Sequence, residues 1–289
     1  MGTYRERQFT SRDGLRLYFR DYGDARAGGV PVLCLSGLTR NCKDFHDLAI
    51  HLSADRRVLC PDYRGRGRSE YDRDRWRYNA RTYLEDIRHL LAVANIHRVV
   101  VIGTSLGGIL AMAMAAAMPA VLAGAVLNDI GPAVDLDGLG RVIAFYANQR
   151  PPSDWSAAVG HLREFLPNLP AESDAEWLRI AQNTYREGDD GILRFDWDPA
   201  LIEPFRRAVA ENVDLWPLFR ALRGVPVLVV RGALSDVLTE KTFRRMSDEM
   251  PGLHGLTVDT VGHAPSLSEP HVLEAIDVLL AQLPNPHRR

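Results

Sequence analysis

Cysteine is nearly missing from this 289-residue chain. Cys34, Cys42 and Cys60 form an odd set with no C-x-x-C pair and no ligand-like spacing to histidine. A disulfide framework and a zinc site are both disfavoured, and buried free thiols are the expectation. Charge of one sign is lacking too. Thirty-five basic residues against 37 acidic ones leave a net charge of −2, with no general attraction to nucleic acid or anionic lipid. Lysine is almost absent, only Lys43 and Lys241, and the resulting excess of arginine reads as a coding bias. No apolar run is long. The longest, 109–118, is about half of what a membrane span needs, so it reads as a core helix. Residues 1–10 are charged and carry no apolar h-region, and Gly2 lacks the serine or threonine of a myristoylation signal. A cytoplasmic protein with no membrane and no nucleic-acid partner is expected.

What the chain has in quantity is apolar residue, 46%, beside 25% charged, the balance of an ordinary globular protein. Its length suits one large α/β domain, with or without an inserted piece. Short apolar runs at 16–22, 30–35, 57–60, 98–102, 122–127, 225–230 and 255–261 have strand length, and the fully apolar ones imply strands buried on both faces. Tyr83, Leu84, Ile87, Leu90 and Leu91 recur at helical spacing, the alanine-rich run 109–118 stops at Pro119, and Val272, Leu273, Ile276, Leu279 and Leu280 share one helical face. Strands alternating with helices predict a mostly parallel sheet flanked by helices. Between Gly131 and Gly224 the rhythm breaks into helical patterns with four of the five tryptophans, which predicts a helical insertion over 132–223 into a core made of 1–131 and 224–289.

The chemistry begins at Gly103-Thr104-Ser105-Leu106-Gly107. A G-x-S-x-G alone arises by chance in roughly one chain of this length in ten at ordinary glycine and serine usage. Its setting raises its weight. It follows the strand pattern at 98–102 without a gap and opens the alanine-rich helix, the strand-turn-helix context that presents a nucleophilic serine on a sharp turn. The helix N-terminus also aims backbone N–H groups at any oxyanion formed there.

A serine hydroxyl needs a positioned base, itself oriented by a third group. His263, in Val261-Gly262-His263-Ala264-Pro265, follows the pattern at 255–261, and Asp236 follows the one at 225–230. Both lie at the carboxyl edge of the predicted sheet, where Ser105 lies. The order Ser105, Asp236, His263 predicts a catalytic triad in the serine–acid–histidine order of an α/β-hydrolase. The other eight histidines fall in or beside helix patterns, in the insertion, just before a strand pattern (His254) or near the end of the chain.

With these features the chain resembles the α/β-hydrolase superfamily over nearly its whole length. Asp62-Tyr63-Arg64-Gly65-Arg66-Gly67-Arg68-Ser69 is similar to the D-x-R-G-x-G-x-S segment of the branch with small esterases, lactonases, ring-cleavage-product hydrolases and epoxide hydrolases. The resemblance implies an oxyanion hole from the backbone N–H groups of Leu38 and Leu106. The loop departs from the family, which has His-Gly where this chain has Ser36-Gly37, and backbone donation survives that change. Ser105 at the nucleophile position argues against epoxide hydrolysis and dehalogenation, for which relatives use aspartate. Some superfamily members take the acid from after an earlier strand, here Asp129, but Asp236 matches the commoner position, and Asp129 alternatively reads as a turn or capping residue.

The insertion implies a cap over the site, its aromatics Phe145, Tyr146, Trp155, Phe165, Trp177, Tyr185 and Trp197 suggesting an apolar pocket, although most must be the cap's own core. The expectation is a cofactor-free, metal-free serine hydrolase of small to medium carboxylic esters or lactones, with a small apolar acyl compound as its partner. Hydrolysis of a C–C bond in a vinylogous diketone, a perhydrolase or haloperoxidase-like activity, and a non-enzymatic ligand receptor retaining the triad are the alternatives.

Overall fold

The apolar runs of the sequence become the middle of one sheet. In the computed structural model, which describes residues 3–135, 140, 151–211 and 213–283, the chain opens with β1 (Tyr4–Thr10), β2 (Arg16–Tyr22) and β3 (Val32–Leu35). There follow α1 (His46–Leu52), β4 (Val58–Pro61), α2 (Ala80–Val93), β5 (Val99–Thr104), α3 (Leu106–Ala117) and β6 (Leu122–Asn128). The chain then leaves the sheet for α4 (Trp155–Phe165), α5 (Asp174–Thr184), a hairpin of β7 (Tyr185–Glu187) and β8 (Leu193–Phe195), α6 (Ile202–Ala210) and α7 (Trp216–Arg220). It returns as β9 (Val227–Gly232), α8 (Glu240–Glu249), β10 (His254–Val258) and α9 (Pro270–Ala281).

The eight strands lie in the order β1-β2-β4-β3-β5-β6-β9-β10, antiparallel at β1/β2 and β2/β4 and parallel from β4 onward. Successive residues of a strand point to opposite faces, and β5 shows what this demands of a central strand. Val99 and Val101 enter one apolar core while Val100 and Ile102 enter the other, all at 0% exposure. A strand buried on both faces has no polar position to offer, which is why its sequence is continuous valine and isoleucine. Each such side chain contributes about 1.5–3 kcal/mol by burial. Helix α2 closes one face through Tyr83, Ile87, Leu90 and Leu91, and begins where the Asn79 side chain accepts the Thr82 N–H.

Three differences from the sequence expectations have local causes. β1 is a strand although its face reads Tyr-Arg-Glu-Arg-Gln, because it is the outer edge of the sheet and only Phe9 is buried. β10 ends at Val258 rather than 261, since the chain turns through Thr260 at φ 62°. The excursion between β6 and β9 is not wholly helical, holding the β7/β8 hairpin whose Tyr185, Phe195 and adjoining Trp197 stack at 4.9 and 5.1 Å between centroids. Phe145 and Tyr146 lie outside the described residues.

Candidate active site

Ser105 sits where β5 ends and α3 begins, with φ 52° and ψ −114°, a conformation sparsely populated for a residue with a side chain. The turn is so tight that its glycines have no room for a methyl group. A Cβ on Gly103 would lie 2.3 Å from the carbonyl carbon and oxygen of Gly107, and one on Gly107 would lie 2.0 Å from the carbonyl oxygen of Leu35. The Ser105 side chain makes no capping bond to its own helix. Its N–H is bound to the Asn128 carbonyl at 3.1 Å, which levels the ends of β5 and β6.

Asp129 follows β6 directly, at φ 53°, and is fully buried. Its Oδ1 accepts the Gly232 N–H at 2.8 Å, and its Oδ2 accepts the Ser235 hydroxyl at 2.5 Å and faces His263 Nδ1 at 2.7 Å. A buried carboxylate is tolerable only when its lone pairs are satisfied, and here three donors converge on it. The carboxylate that the structure places on His263 Nδ1 is that of Asp129, the alternative acid of the sequence. The reason is strand order. β6 is the immediate neighbour of β5, and the Ser105 N–H donates to the Asn128 carbonyl, so a residue one step past the end of β6 is level with Ser105. Ser235 donates its hydroxyl to the Asp129 carboxylate while its oxygen accepts the N–H groups of Val237 and Leu238.

His263 is carried by the loop after β10 and is mostly buried. Hydrogen bonds from both sides hold that loop. Asn128 donates its side-chain amide to the Pro265 carbonyl at 2.9 Å and to Thr104 Oγ1 at 3.0 Å, and the Gly262 N–H donates to the Asn168 carbonyl at 2.8 Å. Asn128 was not singled out by sequence, although its place between the last apolar residue of β6 and Asp129 is a signal that a polar side chain there faces the neighbouring strand ends.

Leu38 and Leu106 line the same cavity as Ser105. Gly37 brings the loop after β3 against the serine, the position of a Cβ on it lying 3.7 Å from Ser105 Cβ. Among the described residues, neither the Leu38 nor the Leu106 N–H donates to a protein acceptor, as befits a loop amide and the first residue of a helix. The Ser36-Gly37 loop is tied by Tyr63, whose hydroxyl donates to the Ser36 carbonyl at 3.2 Å, and by the Ser36 hydroxyl, which donates to the Arg40 carbonyl at 3.2 Å.

Ser105, His263, Leu38 and Leu106 line one cavity of about 780 Å³. Its walls are chiefly apolar, from Ile109 and Ile130 on the sheet side to Phe205, Val209 and Trp216 on α6 and α7, while Arg40, Asp44 and Arg179 mark a polar end. Arg40 and Asp44 neutralise each other through two bonds of 2.7 and 2.6 Å, and Arg179 pairs with Asp47. Among the described residues no group of three or more His, Cys, Asp or Glu side chains is placed to hold a metal ion, and no helix is long and apolar enough to cross a membrane. Chemically, a serine and an imidazole held by a carboxylate line one chiefly apolar space.

Comparison with known proteins agrees with this fold. The model of the alpha/beta hydrolase family matches residues 32–276. The 3-hydroxybutyrate-oligomer hydrolase of Cupriavidus necator is 32% identical over 263 residues, covering 88% of this chain and 89% of that protein. The 2-(acetamidomethylene)succinate hydrolase of Mesorhizobium japonicum is 28% identical over 254 residues, covering 87% and 88%. A crystal structure of an alpha/beta hydrolase from Novosphingobium aromaticivorans matches with a TM-score of 0.91 at 46% identity, over 97% of this chain and 99% of that one. With a family match running from β3 into α9 and a sheet that carries Ser105 on its sharpest turn, the chain belongs to the alpha/beta hydrolase family.

Proposed function

We propose that the protein is a serine hydrolase of carboxylic esters working through an acyl-enzyme, with Ser105, His263 and Asp129 as its triad. The observation that carries the reading is the 2.7 Å contact of buried Asp129 with Nδ1 of His263, which lines the same cavity as Ser105. With Nδ1 engaged by a carboxylate, the imidazole presents Nε2 for the serine proton. Ser105 Oγ attacks the ester carbonyl as His263 takes its proton. The carbonyl oxygen, now an anion, is received by the N–H groups of Leu38 and Leu106. Collapse expels the alcohol with the proton from His263, and water then repeats the sequence to release the acid.

Residues 132–223 act as a cap that supplies much of the acyl wall, since α6 and α7 contribute Phe205, Val209 and Trp216 to the cavity. An apolar space of this size admits small to medium acyl groups. The likeness to a 3-hydroxybutyrate-oligomer hydrolase favours short oligoesters of hydroxy acids among them. The test is a panel of p-nitrophenyl esters, lactones and 3-hydroxybutyrate oligomers against purified protein. Turnover of the esters and oligomers, abolished in Ser105→Ala, is the expected result. Hydrolysis of none of them, or retention of activity by Ser105→Ala, overturns the reading.

A further inference from the structure

The side chain of Arg66 lies directly behind the loop that carries the Leu38 N–H, and the described contacts leave it no purpose in surface or ion-pair chemistry. It is 0% exposed. Its Nε donates to the Leu38 carbonyl at 2.8 Å, and its Nη1 donates to the Arg64 carbonyl at 2.8 Å and to the Tyr83 hydroxyl at 2.7 Å. The guanidinium is boxed by three rings, those of Tyr83, Tyr63 and Tyr78 at 4.9, 5.5 and 5.8 Å from its central carbon. Burial keeps the Tyr83 phenol above its usual range, so Arg66 faces a neutral hydroxyl rather than a phenolate. Among the described residues Arg66 makes no ion pair with a carboxylate, unlike its neighbour Arg64, which binds Asp13, Asp72 and Asp86.

A buried cation with no counter-charge is costly, and a chain keeps one where a fixed positive charge is useful. The turn that carries it is also over-determined. Trp197 bridges to Arg66 across an antiparallel contact, the Gly67 N–H binds the Asp196 carbonyl at 2.9 Å, and the Asp198 N–H binds the Gly65 carbonyl at 2.7 Å. From this geometry we infer that Arg66 is a positioning residue for the oxyanion site: by holding the Leu38 carbonyl it fixes the backbone of Leu38, and with it the direction of the Leu38 N–H. No atom of Arg66 needs to touch the substrate. The inference rests on the serine-hydrolase reading above.

The predicted signature separates ground state from transition state. Arg66→Met keeps the stem and removes every donor and the charge. Its kcat on an aryl ester falls by about 10- to 100-fold, less than or equal to the loss of a direct oxyanion donor. KM stays within about threefold, and the affinity for a trifluoromethyl ketone, which forms a tetrahedral anion on serine, falls in proportion to kcat. Arg66→Lys, with one donor and the charge retained, recovers part of both. Unchanged kcat and unchanged ketone affinity in a folded Arg66→Met protein overturn the inference, as does a loss confined to KM. If Arg66→Met does not fold, the same pair of measurements on Arg66→Lys decides, with wild-type values in both counting against it. A wild-type protein that neither turns over esters nor reacts at Ser105 with a fluorophosphonate sinks the underlying hydrolase reading, a failure that labelling of wild type alone makes recognisable.

Discussion

His263 Nδ1 and Asp129 Oδ2 lie 2.7 Å apart, joining the loop after β10 to the end of β6 across the intervening strand β9. The pair stands on a parallel ladder in which Asn128 is opposite Val230 and the Asp129 N–H donates to the Val230 carbonyl at 2.7 Å. The carboxylate position is thereby tied to sheet register, a rigid reference, rather than to loop conformation.

The first prediction concerns that carboxylate. Asp129→Asn places an amide where an acceptor faces both Nδ1 and the Ser235 hydroxyl, favouring the wrong imidazole tautomer and removing the charge that stabilises the imidazolium. Loss of kcat on the order of 10⁴ is expected, while Asp236→Asn loses less than about tenfold. Steady-state kinetics on one aryl ester, with circular dichroism to check folding, distinguish the two. The opposite ranking removes Asp129 from the mechanism.

The second prediction is structural. In Gly107→Ala the new Cβ meets the Leu35 carbonyl oxygen at 2.0 Å, and this contact is with backbone of the central strand β3, which cannot swing aside. A destabilisation of about 3 kcal/mol is expected, read as a lowered urea midpoint. A midpoint equal to wild type shows that the turn is looser than described.

The third prediction is the pH profile. Only the neutral imidazole of His263 accepts the Ser105 proton, so kcat/KM rises along one limb with increasing pH and levels off. A profile that falls again within the range of folded stability points to a second essential acid that the site does not contain.

The fourth concerns acid stability. Hydrogen bonding to the buried Arg64 guanidinium holds the Asp13 carboxyl well below the usual carboxylate range. A carboxyl lowered in the folded state contributes stability that is complete above its unfolded value of about 4 and is lost as pH falls toward the folded value. Asp13 is partly exposed, so the contribution is on the order of 1 kcal/mol. Asp13→Asn should therefore unfold at lower urea than wild type at pH 7, with the gap narrowing at pH 3. A gap that widens on acidification contradicts this assignment.

The turn that carries Ser105 was legible in the sequence because its signals are local: a valine strand, two glycines that permit a tight turn and an alanine helix occupy adjacent positions. His263 was legible for a similar reason, as a histidine one loop past a strand pattern. The Asp129 contact with His263 was less legible, because Asp129 and Asp236 each follow a strand and the contact depends on which strand ends meet. That is a property of sheet order, and neighbouring positions in the chain do not encode it. β1 was illegible for a different reason: at a sheet edge only Phe9 of its seven residues is buried, so no hydrophobic alternation marks it. Asn128 and Ser235, which position the His263 loop and the Asp129 carboxylate, are ordinary polar residues whose roles exist only once distant strand ends meet.

The most direct test of the central claim is mass spectrometry of the intact protein after reaction with a fluorophosphonate, followed by peptide mapping. The account predicts a single adduct on Ser105, formed rapidly in wild type, slowly in Asp129→Asn and not at all in a folded Ser105→Ala protein. Stoichiometric labelling of Ser105→Ala, or an adduct mapped to any other serine in wild type, would contradict it.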